Sequence, residues 1–204
     1  MPKLKPPLAK RLFAPPPAWS KDVQNLLISE KTLARRVCQL AREIQNDFKE
    51  KDGDFIIISI LNGTVCFLPD LIRHITLPLK LDFIGVSSYQ SGTQSGRLRF
   101  TKKTKLNLQG SRILLVDDIL DTGNTLSRVI RELKKSDPKD IRTCVLLDKP
   151  ERRITAIEPD YVGFTVPNYF VVGYGLDYAQ QYRHLPFICV LRPEIYGAKQ
   201  HQVS

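Results

Sequence analysis

Long apolar stretches are missing from this chain. The longest apolar-rich run is Phe55 to Leu61, far short of the ~18 residues that suggest a membrane-crossing helix. No charged-then-apolar leader opens the chain, so no secretory signal is expected and a cytoplasmic location is. Cysteine is sparse. Cys38, Cys66, Cys144 and Cys189 lie far apart, in neither Cys-x-x-Cys nor zinc-ligand spacing, which points to small buried thiols in a reducing compartment. Acidic residues are absent from two stretches. Residues 1 to 21 carry Lys3, Lys5, Lys10, Arg11 and Lys21 without an acid, and residues 97 to 105 carry Arg97, Arg99, Lys102, Lys103 and Lys105 without one. Those ten cations equal the whole net charge of +10. The excess is therefore local, and it suits attraction of small polyanions as well as it suits a nucleic-acid surface.

What is present organises into one domain with short terminal additions. At 204 residues the chain can bury a core without metal or disulfide staples. Pro2, Pro6, Pro7, Pro15, Pro16 and Pro17 forbid a helix or central strand at the start. Residues 1–22 are expected to form an extended or disordered tail, with a proline-rich docking ligand as the alternative. Removal of residues 1–19 is expected to leave activity intact. Ser29 reads as an N-cap, and behind it Leu33, Val37, Leu40, Ile44 and Phe48 mark one apolar helical face.

Short β-rich runs then alternate with helical stretches. Strands are expected at 55–61, 79–88, 113–116, 141–147, 161–165, 170–172 and 187–191, with helices at 65–76 and from about 125 to 135. Nearly continuous apolar strands separated by helices predict an α/β fold, a mainly parallel sheet covered by helices on both faces. Ligands bind such sheets at the carboxyl ends of the strands. The loop from Gln90 to Gly96 has no apolar anchor and is expected to be mobile.

The most informative stretch runs from Ile113 to Leu126: Ile-Leu-Leu-Val-Asp-Asp-Ile-Leu-Asp-Thr-Gly-Asn-Thr-Leu. A buried strand delivers Asp117 and Asp118, a third acid Asp121 follows, and a Thr122-Gly123-Asn124-Thr125 turn opens a helix. Unpaired N–H groups at a helix start suit a phosphate. Gly123 lets the backbone approach an anion, and the two threonines can add hydroxyl donors. Asp117 and Asp118 can accept from a vicinal diol and help bind a hard cation. A capped, solvated turn explains a lone Asp-Thr-Gly equally well, but not the whole fourteen-residue pattern.

This segment resembles the phosphoribosyl-pyrophosphate signature of the type I phosphoribosyltransferases. Leu146–Arg153, Asp160–Phe164 and Phe170–Tyr178, together with Leu61-Asn62-Gly63 and Ser87-Ser88-Tyr89, are similar to the bacterial-type hypoxanthine-guanine branch. The resemblance covers about residues 26 to 192. It implies the family fold, with a small hood of strands near the C-terminal half, a domain at 23–196 and a terminal tail at 197–204. It also implies phosphoribosyl pyrophosphate and a 6-oxopurine as substrates, Mg2+ as cofactor and a homodimer or homotetramer, without a membrane or nucleic-acid partner.

Residue roles follow from the same resemblance. Asp121 is the implied general acid/base for the purine N7 proton. Asp117, Asp118 and Asp177 are implied around the metal, and Asp117 and Asp118 also at the ribose hydroxyls. Thr122, Gly123, Asn124 and Thr125 are implied to cradle the 5-phosphate, and Leu61, Asn62, Gly63 and Arg183 to meet the pyrophosphate. Lys149 is implied at the purine 6-oxo group, Phe170 as its stacking ring and Val171 as a backbone partner. Ser88 and Tyr89 begin the implied lid, whose basic exit at 97–105 would attract the polyphosphate. The sequence departs from relatives at two positions: Asp117 stands where Glu is frequent, and Asn62 where Lys is frequent. The resemblance also implies that Leu61-Asn62 is a cis peptide. Two other readings stay open, an RNA-binding regulator built on this fold and an enzyme that prefers xanthine.

Overall fold

A computed structural model describes residues 17–49, 52–88 and 98–197 of the chain. After a 3-10 turn at Pro17–Trp19, the elements are β1 Val23–Ile28, α1 Glu30–Phe48, β2 Phe55–Leu61, a 3-10 turn at Gly63–Val65, α2 Phe67–Ile72, β3 Lys80–Ser88 and β4 Leu98–Lys102. There follow β5 Arg112–Leu120, α3 Asn124–Leu133, β6 Asp140–Asp148, β7 Tyr161–Thr165, β8 Val171–Val172, β9 Ile188–Leu191 and α4 Pro193–Gly197. None of these helices is long and apolar enough to cross a membrane.

The main sheet has the order β4-β3-β2-β5-β6-β7, and a second sheet has the order β1-β9-β8. All pairs in the main sheet are parallel except β3 with β4 at the edge. Side chains alternate across a strand, and the two faces separate accordingly. Phe55, Ile57, Leu114, Val116 and Cys144 pack with α1 and α2. Ile56, Ile58, Ile60, Ile113, Leu115 and Val145 pack with Leu126, Val129 and Leu133 of α3. Helices thus cover both faces, as the apolar strands require. The Ser29 hydroxyl accepts from the Thr32 amide at 3.3 Å and caps α1.

Ladder lengths decide where the sheet opens. The β2–β5 ladder stops at Ser59↔Val116, whereas β5 stays paired with β6 through Leu120↔Asp148. Beyond Val116, β5 therefore has a neighbour on one side only. This gap lies where the chain order reverses in the sheet, the usual position of a ligand crevice in open α/β folds.

Several expectations need correction. The third expected strand does not end at Val116; the continuing ladder to β6 carries it through both acids to Leu120. The helix expected at 65–76 is a 3-10 turn followed by α2, which ends at Ile72. His74 and Ile75 there donate backwards only three residues, to Leu71 and Ile72, which tightens the chain out of the helix. Phe170 precedes β8 and Phe187 precedes β9, so both outlying strands are shorter than expected.

β1 and β4 were not anticipated. β1 pairs with β9 across register shifts that break strict alternation, and its partner is remote in sequence. β4 is a charged edge strand inside the basic stretch. Its Lys102 pairs with Asp82 at 2.5 Å, and the next residue, Lys103, pairs with Glu132 at 2.7 Å, so these two cations have acidic partners in the body of the domain. The loop from Gln90 to Gly96 and Tyr89 lie outside the described residues. Trp19 packs edge-on against Tyr182 at 4.7 Å. A cut after residue 19, expected from the sequence to leave activity intact, would strip that ring from the second sheet's core.

Leu114→Ala removes a fully buried side chain from the central strand and is expected to cost about 2–5 kcal/mol. Ser29→Ala removes only the cap and is expected to cost about 1 kcal/mol. Urea unfolding of both variants checks the ranking; a larger loss from Ser29→Ala would contradict this account of the core.

Candidate active site

The crevice begins at the carboxyl end of β2. The Ser59 hydroxyl donates to Thr64 Oγ1 and Thr64 Oγ1 to the Ile60 carbonyl, each at 2.7 Å, inside the core. This buried network holds the turn Asn62–Thr64, and Leu61-Asn62 is cis. Gly63 faces Asp118 so closely that a Cβ would lie 1.4 Å from Oδ2. Glycine leaves the Asp118 carboxylate its place.

Across the gap, Asp117 and Asp118 project from the part of β5 that has lost its β2 neighbour. Burial first, and the adjacent Asp118 charge second, push the Asp117 carboxyl well above the usual carboxylate range. Burial raises Asp118 as well, opposed by hydrogen bonds and by the Arg183 charge. Two desolvated like charges side by side favour a counter-cation or a diol that donates to them. Among the described residues no cluster of three or more His, Cys, Asp or Glu forms a metal cage. A magnesium ion requires less, since it binds through one or two carboxylates plus waters and substrate phosphates. The acid pair fits that requirement.

The turn after β5 leads into α3. Gly123 precedes the helix with φ +87°, a left-handed conformation that favours glycine, and no side chain caps the helix start. The β6–β7 connection supports this turn from behind: Ile154 N donates to the Thr122 carbonyl at 3.1 Å and Thr155 Oγ1 at 3.3 Å. Arg153 lies close to Gly123, salt-bridged to Asp148 through Nη2, with Nε and Nη1 buried and unpartnered among the described residues. It adds positive charge behind the turn.

One cleft of about 390 Å³ joins Leu61, Asn62, Gly63, Asp117, Asp118, Asp121, Thr122, Gly123 and Thr125 to Asp177 and Arg183. A second, of about 500 Å³, is lined by Lys149, Phe170 and Val171 and shares Asp118, Ile119, Asp121 and Asp177 with the first. Both volumes fall in the ~300–1,000 Å³ range of small-molecule sites. Asn124 is exposed and lines neither cleft. Ser88 ends β3, and Tyr89 lies outside the described residues.

Asp121, Asp177, Lys149, Arg152 and Arg183 all have partners within the protein. Arg152 Nε donates to Asp121 Oδ1 at 2.6 Å. Arg183 meets Asp177 at 2.8 Å and donates to the Gly175 carbonyl at 2.8 Å. Lys149 Nζ donates to the Tyr169 carbonyl at 2.6 Å. Burial lowers the Lys149 pKa, with Asp121 opposing and Arg152 reinforcing the shift. Arg152, Arg153, Ile119 and Tyr196 escaped the sequence reading. Arg152 and Arg153 stood within the Leu146–Arg153 motif and Ile119 inside the acid signature, so those three had a signal; Tyr196 had none.

Comparison with known proteins agrees with this arrangement. A family model described as the phosphoribosyl transferase domain matches residues 24–179. The hypoxanthine-guanine phosphoribosyltransferase of Lactococcus lactis is 42% identical over 178 residues, covering 87% of this chain and 96% of the relative. The bifunctional protein TilS/HprT of Listeria innocua is 43% identical over 86% of this chain, which spans only 27% of that relative's length. The solved structure of a hypoxanthine phosphoribosyltransferase from Staphylococcus aureus superposes with a TM-score of 0.82 at 36% identity, covering 88% of this chain and 97% of that one. By fold, by the crevice between β2 and β5 and by sequence, the chain belongs to the phosphoribosyltransferase family, in its hypoxanthine-guanine branch.

Proposed function

We propose that this protein transfers the 5-phosphoribosyl group from phosphoribosyl pyrophosphate to N9 of hypoxanthine or guanine, giving IMP or GMP and pyrophosphate. The observation that carries the reading is the meeting of two clefts. One carries the acid pair and the Thr122–Thr125 turn, the other Lys149 and the Phe170 ring, and Asp121 lines both.

In this reading Thr122, Gly123 and Thr125, with the backbone at Asn124, cradle the 5-phosphate, while Asp117 and Asp118 accept from the ribose hydroxyls. The Asn62–Gly63 backbone and Arg183 receive the pyrophosphate. Asp117, Asp118 and Asp177 are the residues that would hold magnesium, which when bound neutralises charge on the pyrophosphate leaving group. The purine lies against Phe170, with Val171 at its edge and Lys149 at the 6-oxo oxygen, a cationic donor beside developing negative charge. The C1–oxygen bond to pyrophosphate breaks as the N9–C1 bond forms, and Asp121 takes the N7 proton. The Arg152 contact occupies Asp121 Oδ1 and leaves Oδ2 for that proton. Lys149 must exchange the Tyr169 carbonyl for the substrate oxygen, and Arg183 must share its contact with Asp177.

A homodimer or homotetramer and a cytoplasmic location belong to the same proposal. Four free thiols accord with a reducing compartment, and a monomer by light scattering at assay concentration would remove the assembly part. The reading is tested by pyrophosphate release with hypoxanthine, guanine and xanthine, each supplied with phosphoribosyl pyrophosphate and magnesium. Turnover with the first two supports it, a strong preference for xanthine revises the substrate, and no turnover with any purine overturns it.

Asp121→Asn is expected to lower kcat by ~100-fold or more, the scale of a lost general base, with phosphoribosyl-pyrophosphate binding retained; near-normal turnover would sink the assignment. Lys149→Ala is expected to raise the purine KM while leaving sugar-phosphate affinity unchanged, because Lys149 follows β6 and not the phosphate turn. The reverse pattern in steady-state kinetics would reassign it. Gly63→Ala forces the Asp118 carboxylate to move, and displacement of a positioning group by ~1 Å is expected to cost about 100-fold in kcat/KM for phosphoribosyl pyrophosphate. An unaffected constant would show that Asp118 is not needed where it stands.

A further inference from the structure

Phe170 precedes the two-residue strand β8, too short an element to hold a ring in place by itself. Its backbone is pinned first. The Leu191 amide, at the end of β9, donates to the Phe170 carbonyl at 2.9 Å. The next residue, Arg192, donates to the Asp22 carbonyl at 2.8 Å, and α4 starts immediately after it. This route carries Tyr196 over Phe170. The two rings stack with centroids 4.6 Å apart and planes 17° from parallel. Tyr178 meets Phe170 edge-on at 5.6 Å and 87°. Even with these two contacts Phe170 is 36% exposed, and it lines the cleft with Ile119, Lys149 and Val171. Tyr196 is itself half-buried, held with Ile195 against the core of the small sheet.

We propose that Tyr196 is a positioning residue for purine recognition: it covers one face of Phe170 and fixes the ring so that the opposite face receives the base. This rests on the phosphoribosyltransfer reading above and extends it to a residue outside every motif of the chain. A ring backed by another ring cannot rotate away from the base, and offset-stacked aromatic pairs contribute beyond their buried area. Tyr196 lines the cleft of Phe170 and not the cleft of the Thr122–Thr125 turn, and its ring stacks on Phe170. Its effect is therefore expected on the base.

The test is steady-state kinetics of Tyr196→Ala, Tyr196→Leu and Tyr196→Phe, with thermal unfolding of each. Loss of the stacked ring in the Ala and Leu variants is expected to raise the hypoxanthine KM about five- to tenfold, the scale of one aromatic pair. The phosphoribosyl-pyrophosphate KM should stay within about twofold, and Tyr196→Phe should restore the wild-type values. The Leu variant keeps apolar bulk over the small sheet, so it separates ring stacking from folding if the Ala variant is unstable. The inference is overturned by an unchanged hypoxanthine KM in the Leu variant, by equal rises in both KM values, or by a Phe variant as defective as the Leu one. Absence of turnover in the wild-type protein would instead overturn the parent reading, so the two failures are told apart.

Discussion

The site depends on where two β ladders end. β2 releases β5 at Val116 while β6 holds it to Leu120, so the strand continues as a strand with one side unpaired. Extended backbone sends successive side chains to opposite faces, and the open side gives the substrate room beside them. Had β2 and β5 stayed paired to the same length, Asp117 and Asp118 would lie against another strand, and the charge they carry would be hard to accommodate. Opening the sheet is what makes a buried acid pair tolerable.

Charge placement follows from that opening. Asp117 is raised by burial and by the adjacent Asp118, and Asp118 by burial alone, so they suit partners that bring hydroxyls or a hard cation. The remaining charged groups are held by internal partners: Asp121 by Arg152, Asp177 by Arg183, and Lys149 by a carbonyl. These contacts hold the side chains in place, and in the proposed reaction some of them are exchanged for substrate atoms. Preorganisation of this kind is the main source of catalytic advantage in a polar site.

The second sheet borders the cleft lined by Lys149, Phe170 and Val171. It joins the segment after residue 17, the turn that carries Asp177 and Arg183, and α4 into one small core. Phe170 sits at its margin, and the contacts that orient it come from residues widely separated in the chain. A strand of two residues could not do this alone.

By itself the sequence determined the alternation of strands and helices, the parallel sheet, the Ser29 cap and the acid-rich strand-to-helix turn. Each is written in neighbouring residues: an apolar run, a 3.6-residue period, or a strand followed by Asp-x-x-Asp-Thr-Gly. Tertiary structure alone decided how far β5 runs, that β1 and β4 are strands, and that two of the exposed-looking lysines answer Asp82 and Glu132. It also decided the pairing of Asp121 with Arg152 and the stacking of Tyr196 on Phe170. The reason is physical. Ladder ends, ion pairs and ring contacts join residues tens of positions apart, and their energies depend on distances in space that no local pattern of residue types encodes.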